Sequence, residues 1–246
     1  MCTIKVAMHF VIFKEVTFLY FSHKFFLCSE VIVNTVFFTA DGQTVVDADF
    51  ANKSRIQAIT FANGDNSITL DSEAAAATNS LTVTAGSGND TINAEFLGEI
   101  ISVSSGAGDD SIIGSDQADI IAAGSGNDTI VGGDSVDQLF GNDGNDVFIF
   151  SNGQFVAAET VNGGAGTNTV LFDSNNITVA AGDFANKSQI QRIELQDGNN
   201  SLTLSSSLLT GSSAVALSIV SGTGNDTING SASANRLSIA TSDGND

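Results

Sequence analysis

Five nine-residue blocks run without a break from Ser105 to Ile149: SGAGDDSII, GSDQADIIA, AGSGNDTIV, GGDSVDQLF and GNDGNDVFI. The sixth position is always aspartate: Asp110, Asp119, Asp128, Asp137 and Asp146. The eighth is always large and apolar: Ile112, Ile121, Ile130, Leu139 and Phe148. Small residues, mostly glycine, crowd the first four places. A period this short cannot build a globular core from distant segments. It predicts a chain that stacks on itself, block over block.

The physical logic is local. Glycine reaches φ > 0 and lets backbones approach, so each block opens as a tight turn. The apolar stretch that follows is a short strand whose eighth side chain points inward. One block is then half a coil, and blocks eighteen residues apart stack at about 4.8 Å, the spacing of paired strands. That stacking aligns Asp110, Asp128 and Asp146 on one edge and Asp119 and Asp137 on the other. Carboxylates so close repel one another and call for positive charge between the layers. Ca²⁺ suits the place, because it accepts six to eight oxygens in flexible geometry and turns offer many carbonyls. The expected fold class is all-β: a parallel β-roll or β-solenoid of stacked nonapeptides and longer coils, with almost no helix.

These blocks resemble the RTX, or haemolysin-type calcium-binding, nonapeptide repeat G-G-x-G-x-D-x-U-x. The resemblance implies a parallel β-roll with Ca²⁺ held by the sixth-position aspartates and by turn carbonyls. It also implies type I secretion and folding only outside the cell. The expected carbonyl ligands are those of Gly106, Gly108, Gly124, Gly126 and Gly144. Two departures mark the Asp119–Asp137 edge as the weaker one, since Gln117 and Ser135 stand where its fourth-position glycines belong.

Further copies lie outside. AGSGNDTIN carries Asp90, SGTGNDTIN carries Asp226, and the chain stops inside TSDGND at Asp246. Asparagine takes the sixth position at Asn66, Asn168 and Asn200, and those turns are expected to stack rather than to bind metal. A larger repeat encloses the small ones. The stretch from Asn34 matches that from Asn168 at an offset of 134, which becomes 136 further on, so that Asp90 pairs with Asp226. The expected organisation is a non-repeat leader at 1–33, a first unit at 34–167 and a second, shortened unit at 168–246, cut from a longer array. The leader reads as foreign to the array, such as a misplaced start. It has no clean signal-peptide cleavage site and no uncharged apolar stretch long enough to span a bilayer.

Charge and composition limit the function. Three lysines and two glutamates leave residues 1–33 at +1 and the remainder at −21. That argues against nucleic acid or an anionic membrane as a direct partner. Residues 34–246 contain no His, Tyr or Cys, and their only bases are Lys53, Arg55, Lys187, Arg192 and Arg236. A lyase or epimerase β-helix needs such groups in a cleft, and the repetition of Lys53 as Lys187 points to a surface ladder or turn. The expected protein is therefore not an enzyme. The alternative is an adhesin-like solenoid whose Ser/Thr/Asn strands (NSITL, NSLTV, NSLTL) bind a glycan or cell surface. At about 18 residues per coil, some twelve coils are expected.

Overall fold

The structure is a computed structural model that describes residues 10–11, 35–46, 56–71, 80–206, 209–211 and 215–246. Every strand pair in it is parallel, and the strands form sheets of nine, ten and three members. The nine-stranded face holds Ser80–Ser87, Ile100–Ala107, Ile120–Ser125 and Gln138–Asp143. The ten-stranded face holds Thr91–Asn93, Ser111–Ile113, Thr129–Val131 and Val147–Phe150. The chain alternates between the two, so each coil contributes one strand to each face. Among the described residues the only helical segment is the 3₁₀ turn Ala181–Phe184. No helix there is long and apolar enough to cross a membrane.

The core follows the eighth position. Ile112, Ile130 and Phe148 stack on one face and Ile121 and Leu139 on the other, all fully buried. Each such side chain contributes roughly 1.5–3 kcal/mol by leaving water. Coil length is less regular than an eighteen-residue period. The step is 18 residues at Ile101–Asp119, Asp110–Asp128, Asp119–Asp137 and Asp128–Asp146, and it is 20 to 26 at the rungs before and after them. Among the described residues the longer face has ten strands against the twelve coils expected, because most coils run longer than 18 residues.

The widest change of section follows residue 150. From Thr160 the chain lays one strand on each of three faces, Thr160–Asn162, Thr169–Phe172 and Thr178–Val179, before Lys187–Ser188 returns to the first. Phe155 fills the enlarged interior, with its ring 5.1 to 5.3 Å from those of Phe150, Phe172 and Phe184. The nine-stranded face then ends. Segments matching at the 134-residue offset consequently occupy different faces. Thr35–Phe38 is in the nine-stranded sheet and Thr169–Phe172 in the ten-stranded one, while Ser67–Thr69 is in the ten-stranded sheet and Ser201–Thr203 in the three-stranded one. Of the leader only Phe10–Val11 is described, as a strand pairing with Val36 and Phe37. Lys53 and Arg55 lie outside the described residues.

Candidate metal-binding turns

The edge between the nine- and ten-stranded faces carries a continuous side-chain ladder. Asp90 N–H donates to Asp110 Oδ1 at 2.7 Å, Asp110 N–H to Asp128 Oδ1 at 2.8 Å, and Asp128 N–H to Asp146 Oδ1 at 3.0 Å. Asn66 precedes the run and donates to Asp90 Oδ1, and Asn168 follows it and accepts from Asp146. The structure thus brings Asp110, Asp128 and Asp146 together as the spacing predicts, and adds Asp90 to the same stack. All four are buried.

Only one oxygen of each carboxylate is used. Oδ2 of Asp90, Asp110, Asp128 and Asp146 is buried and has no hydrogen-bond partner. Loss of solvent is the main cause that raises these acids, pushing Asp110 and Asp128 up to about 6, against the lowering effect of the ladder N–H groups. Neighbouring rungs add repulsion, with Asp128 and Asp90 acting on Asp110 and Asp146 on Asp128. Among the described residues no three acidic, His or Cys side chains converge on one point. An ion in these turns would therefore draw most of its ligands from main-chain carbonyls, as Ca²⁺ readily does.

Glycine keeps those carbonyls close. Gly126 has φ 133°, and a Cβ there would meet the carbonyl oxygen of Gly108 in the coil before. Gly124 over Gly106 repeats the relation two residues earlier in the same turn, and Gly144 over Gly126 one coil later. Ser105, at a first position that the repeat pattern reserves for glycine, is accommodated by donating its hydroxyl to the Ala123 carbonyl at 2.7 Å.

The return edge is built differently. Ile101 N–H donates to Asp119 Oδ1, Asp119 N–H to Asp137 Oδ1, and Asp137 N–H to Glu159 Oε1. Asp119 Oδ2 is satisfied within its own turn by the N–H and hydroxyl of Ser115. Burial pushes Asp137 and Glu159 up to about 7. Lys187 closes this edge, and it is not on a surface ladder as its repetition suggested. It is buried, donates Nζ to the carbonyls of Val156 and Glu159 at 2.7 and 2.6 Å, and lies 4.8 Å over the Phe155 ring. Burial lowers it to about 8.

Asp226 and Asp246 stand on a third edge, between the ten- and three-stranded faces. Asn200 N–H donates to Asp226 Oδ1 and Asp226 N–H to Asp246 Oδ1, each at 2.9 Å. Asp226 Oδ2 is again buried and unpartnered. Sequence reasoning missed the fifth position altogether. Asn89 Oδ1 accepts from Asp109 N–H, Asp109 Oδ1 from Asn127, and Asn127 Oδ1 from Asn145, forming an exposed ladder parallel to the buried one. The signal was present, since Asn or Asp stands at that place in Asn89, Asp109, Asn127, Asn145, Asn225 and Asn245.

A family model described as the RTX calcium-binding nonapeptide repeat matches four copies in the chain, over residues 82–96, 102–130, 123–154 and 218–246. The matched stretches contain Asp90, Asp110, Asp119, Asp128, Asp137, Asp146, Asp226 and Asp246, and leave out Asn66, Asn168 and Asn200. Searches of curated proteins and of solved structures each give no match.

Proposed function

The chain carries RTX calcium-binding nonapeptide repeats, and from that premise we propose that its aspartate turns hold Ca²⁺ and that ion binding drives the solenoid to fold outside the cell. The observation that supports this reading most is the buried, partnerless Oδ2 at every aspartate rung of the main edge. A lone buried carboxylate oxygen is costly unless protonated or met by a cation, so the residues present fit the ion. Asp90, Asp110, Asp128 and Asp146 would hold it with carbonyls of Gly106, Gly108, Gly124, Gly126 and Gly144. Asp226 and Asp246 would do so on the third edge, and Asp119 and Asp137 are weaker candidates. Bound Ca²⁺ supplies the positive charge that a stack of carboxylates lacks. The protein's own part is to align the oxygens and exclude water from them.

Because such a site is absent from the unfolded chain, binding energy becomes folding energy. Extracellular calcium modules work at roughly 10⁻⁴ to 10⁻³ M, which keeps the chain loose in the cytosol and ordered after secretion. At pH 7.5, circular dichroism of the full chain should gain most of its β signal as Ca²⁺ rises through that range, with reversal by EDTA. Mg²⁺ should substitute poorly, because it demands a tighter octahedral shell. A complete β spectrum in excess chelator at that pH would overturn the proposal.

A glycan- or surface-binding reading rests on one outward row of the ten-stranded face, Thr44, Ser67, Thr91, Ser111 and Thr129. The row beside it turns aliphatic at Ile113, Val131 and Ile149, so the hydroxyl strip is one residue wide. It ranks second for that reason.

A further inference from the structure

Asn66 and Asn200 hold the sixth position of the turns FANGDN and LQDGNN, on different edges of the stack. Both side chains are buried. Each Oδ1 accepts a backbone N–H from the preceding coil, Gln43 to Asn66 at 2.9 Å and Ile177 to Asn200 at 3.1 Å. The amide nitrogens have matching partners as well. Asn66 Nδ2 lies 3.1 Å from the Ala62 carbonyl, 2.7 Å from that of Gly64, and 2.9 Å from Asp90 Oδ1. Asn200 Nδ2 lies 2.8 Å from the Gln196 carbonyl, 3.3 Å from that of Gly198, and 2.9 Å from Asp226 Oδ1. In both turns the acceptors are the second- and fourth-position carbonyls and the first carboxylate of the next rung.

Turning either amide over would set its oxygen against three acceptors, so the network determines where the nitrogen sits. In the aspartate rungs that follow, Oδ1 makes the same ladder bond, and Oδ2 takes the place of that nitrogen. At Asp90, Asp110, Asp128, Asp146 and Asp226 it is buried without a partner. Oxygen among oxygens needs an added cation, whereas an amide brings its own N–H groups.

We propose that Asn66 and Asn200 are resident replacements for Ca²⁺, each completing its rung without metal and founding the calcium-dependent aspartate run that follows it. Asn66 founds Asp90 to Asp146, and Asn200 founds Asp226 and Asp246. This inference rests on the reading of the aspartate turns as calcium sites. Asn168 is not included, because its amide donates to the Gln189 carbonyl of the following coil at 3.1 Å and does not repeat the pattern.

The test is hydrogen exchange and calcium stoichiometry on the full chain. In EDTA the amides of Gln43 and Ile177, which donate to the asparagines, should exchange at least tenfold more slowly than those of Asp90 and Asp110. Calcium should then protect the latter pair. N66D and N200D should each bind one more Ca²⁺ per chain and lose the metal-free protection at Gln43 or Ile177. The converse change, D128N, should bind one fewer and gain protection at Asp110 in EDTA. A wild-type chain that binds no calcium would overturn the calcium reading itself. Calcium binding by the wild type, with stoichiometry unmoved in all three variants or with Gln43 and Ile177 exchanging as fast as Asp90 in EDTA, would overturn this inference alone.

Discussion

The two oxygens of Asp128 do different things: Oδ1 ties its rung to Asp110, and Oδ2 is buried with no donor. Asp119 has no such spare oxygen, because Ser115 satisfies Oδ2. Truncating the two residues should therefore separate structure from ion binding. D128A should remove at least one Ca²⁺ per chain, counted by equilibrium dialysis with atomic emission. D119A should leave the count nearly unchanged while destabilising the fold by about 1–3 kcal/mol, the cost of orphaning the N–H groups of Ile101 and Ser115. Equal losses of calcium from both would remove the distinction between the edges.

Turns and strands join through the backbone contacts that glycine permits. At Gly126 a Cβ would be driven into the Gly108 carbonyl, and its φ of 133° disfavours any L side chain. Gly98 has nothing within 4 Å of the same position and no positive φ. G126A should cost at least ~2 kcal/mol, and G98A should fall within about 0.5 kcal/mol of the parent. Urea denaturation in saturating Ca²⁺ measures both. A tolerated G126A would mean that the stacked turns have slack that the geometry does not show.

Across the whole molecule the buried acids set the response to pH. Asp110 and Asp128 are raised to about 6 and Asp137 and Glu159 to about 7. The metal-free fold therefore holds more protons than the unfolded chain between roughly pH 4 and 7, and its stability falls as pH rises through that window. In EDTA the chain should be most stable near pH 4 and lose that stability by about pH 7. In calcium the order reverses, because protons compete for the same oxygens and the Ca²⁺ midpoint rises on acidification. Thermal melts at pH 4.5 and 7.5, each with and without EDTA, test both signs. A metal-free melt that rises with pH would contradict the burial argument.

Much of this architecture was legible in the nine-residue period. Position six on the turn, position eight in the core and the eighteen-residue alignment of Asp110, Asp128 and Asp146 are consequences of local geometry, since a strand alternates sides and a turn repeats. What lay beyond the sequence depends on how coils of unequal length stack. Extra residues after Phe150 open a third face, and that alone moves Asp226 and Asp246 off the edge that holds Asp90, although Asp90 and Asp226 sit in nearly identical blocks. Lys187 looks like a surface residue in FANKS, but the widened coil folds it inward onto Phe155 and three carbonyls. Asn66 and Asn200 read as plain turn formers until the neighbouring coil supplies the carboxylate that their amides reach. The period is a property of neighbours in sequence, so the sequence determines it. Face, burial and partner are properties of neighbours in space, and those exist only once the coils have stacked.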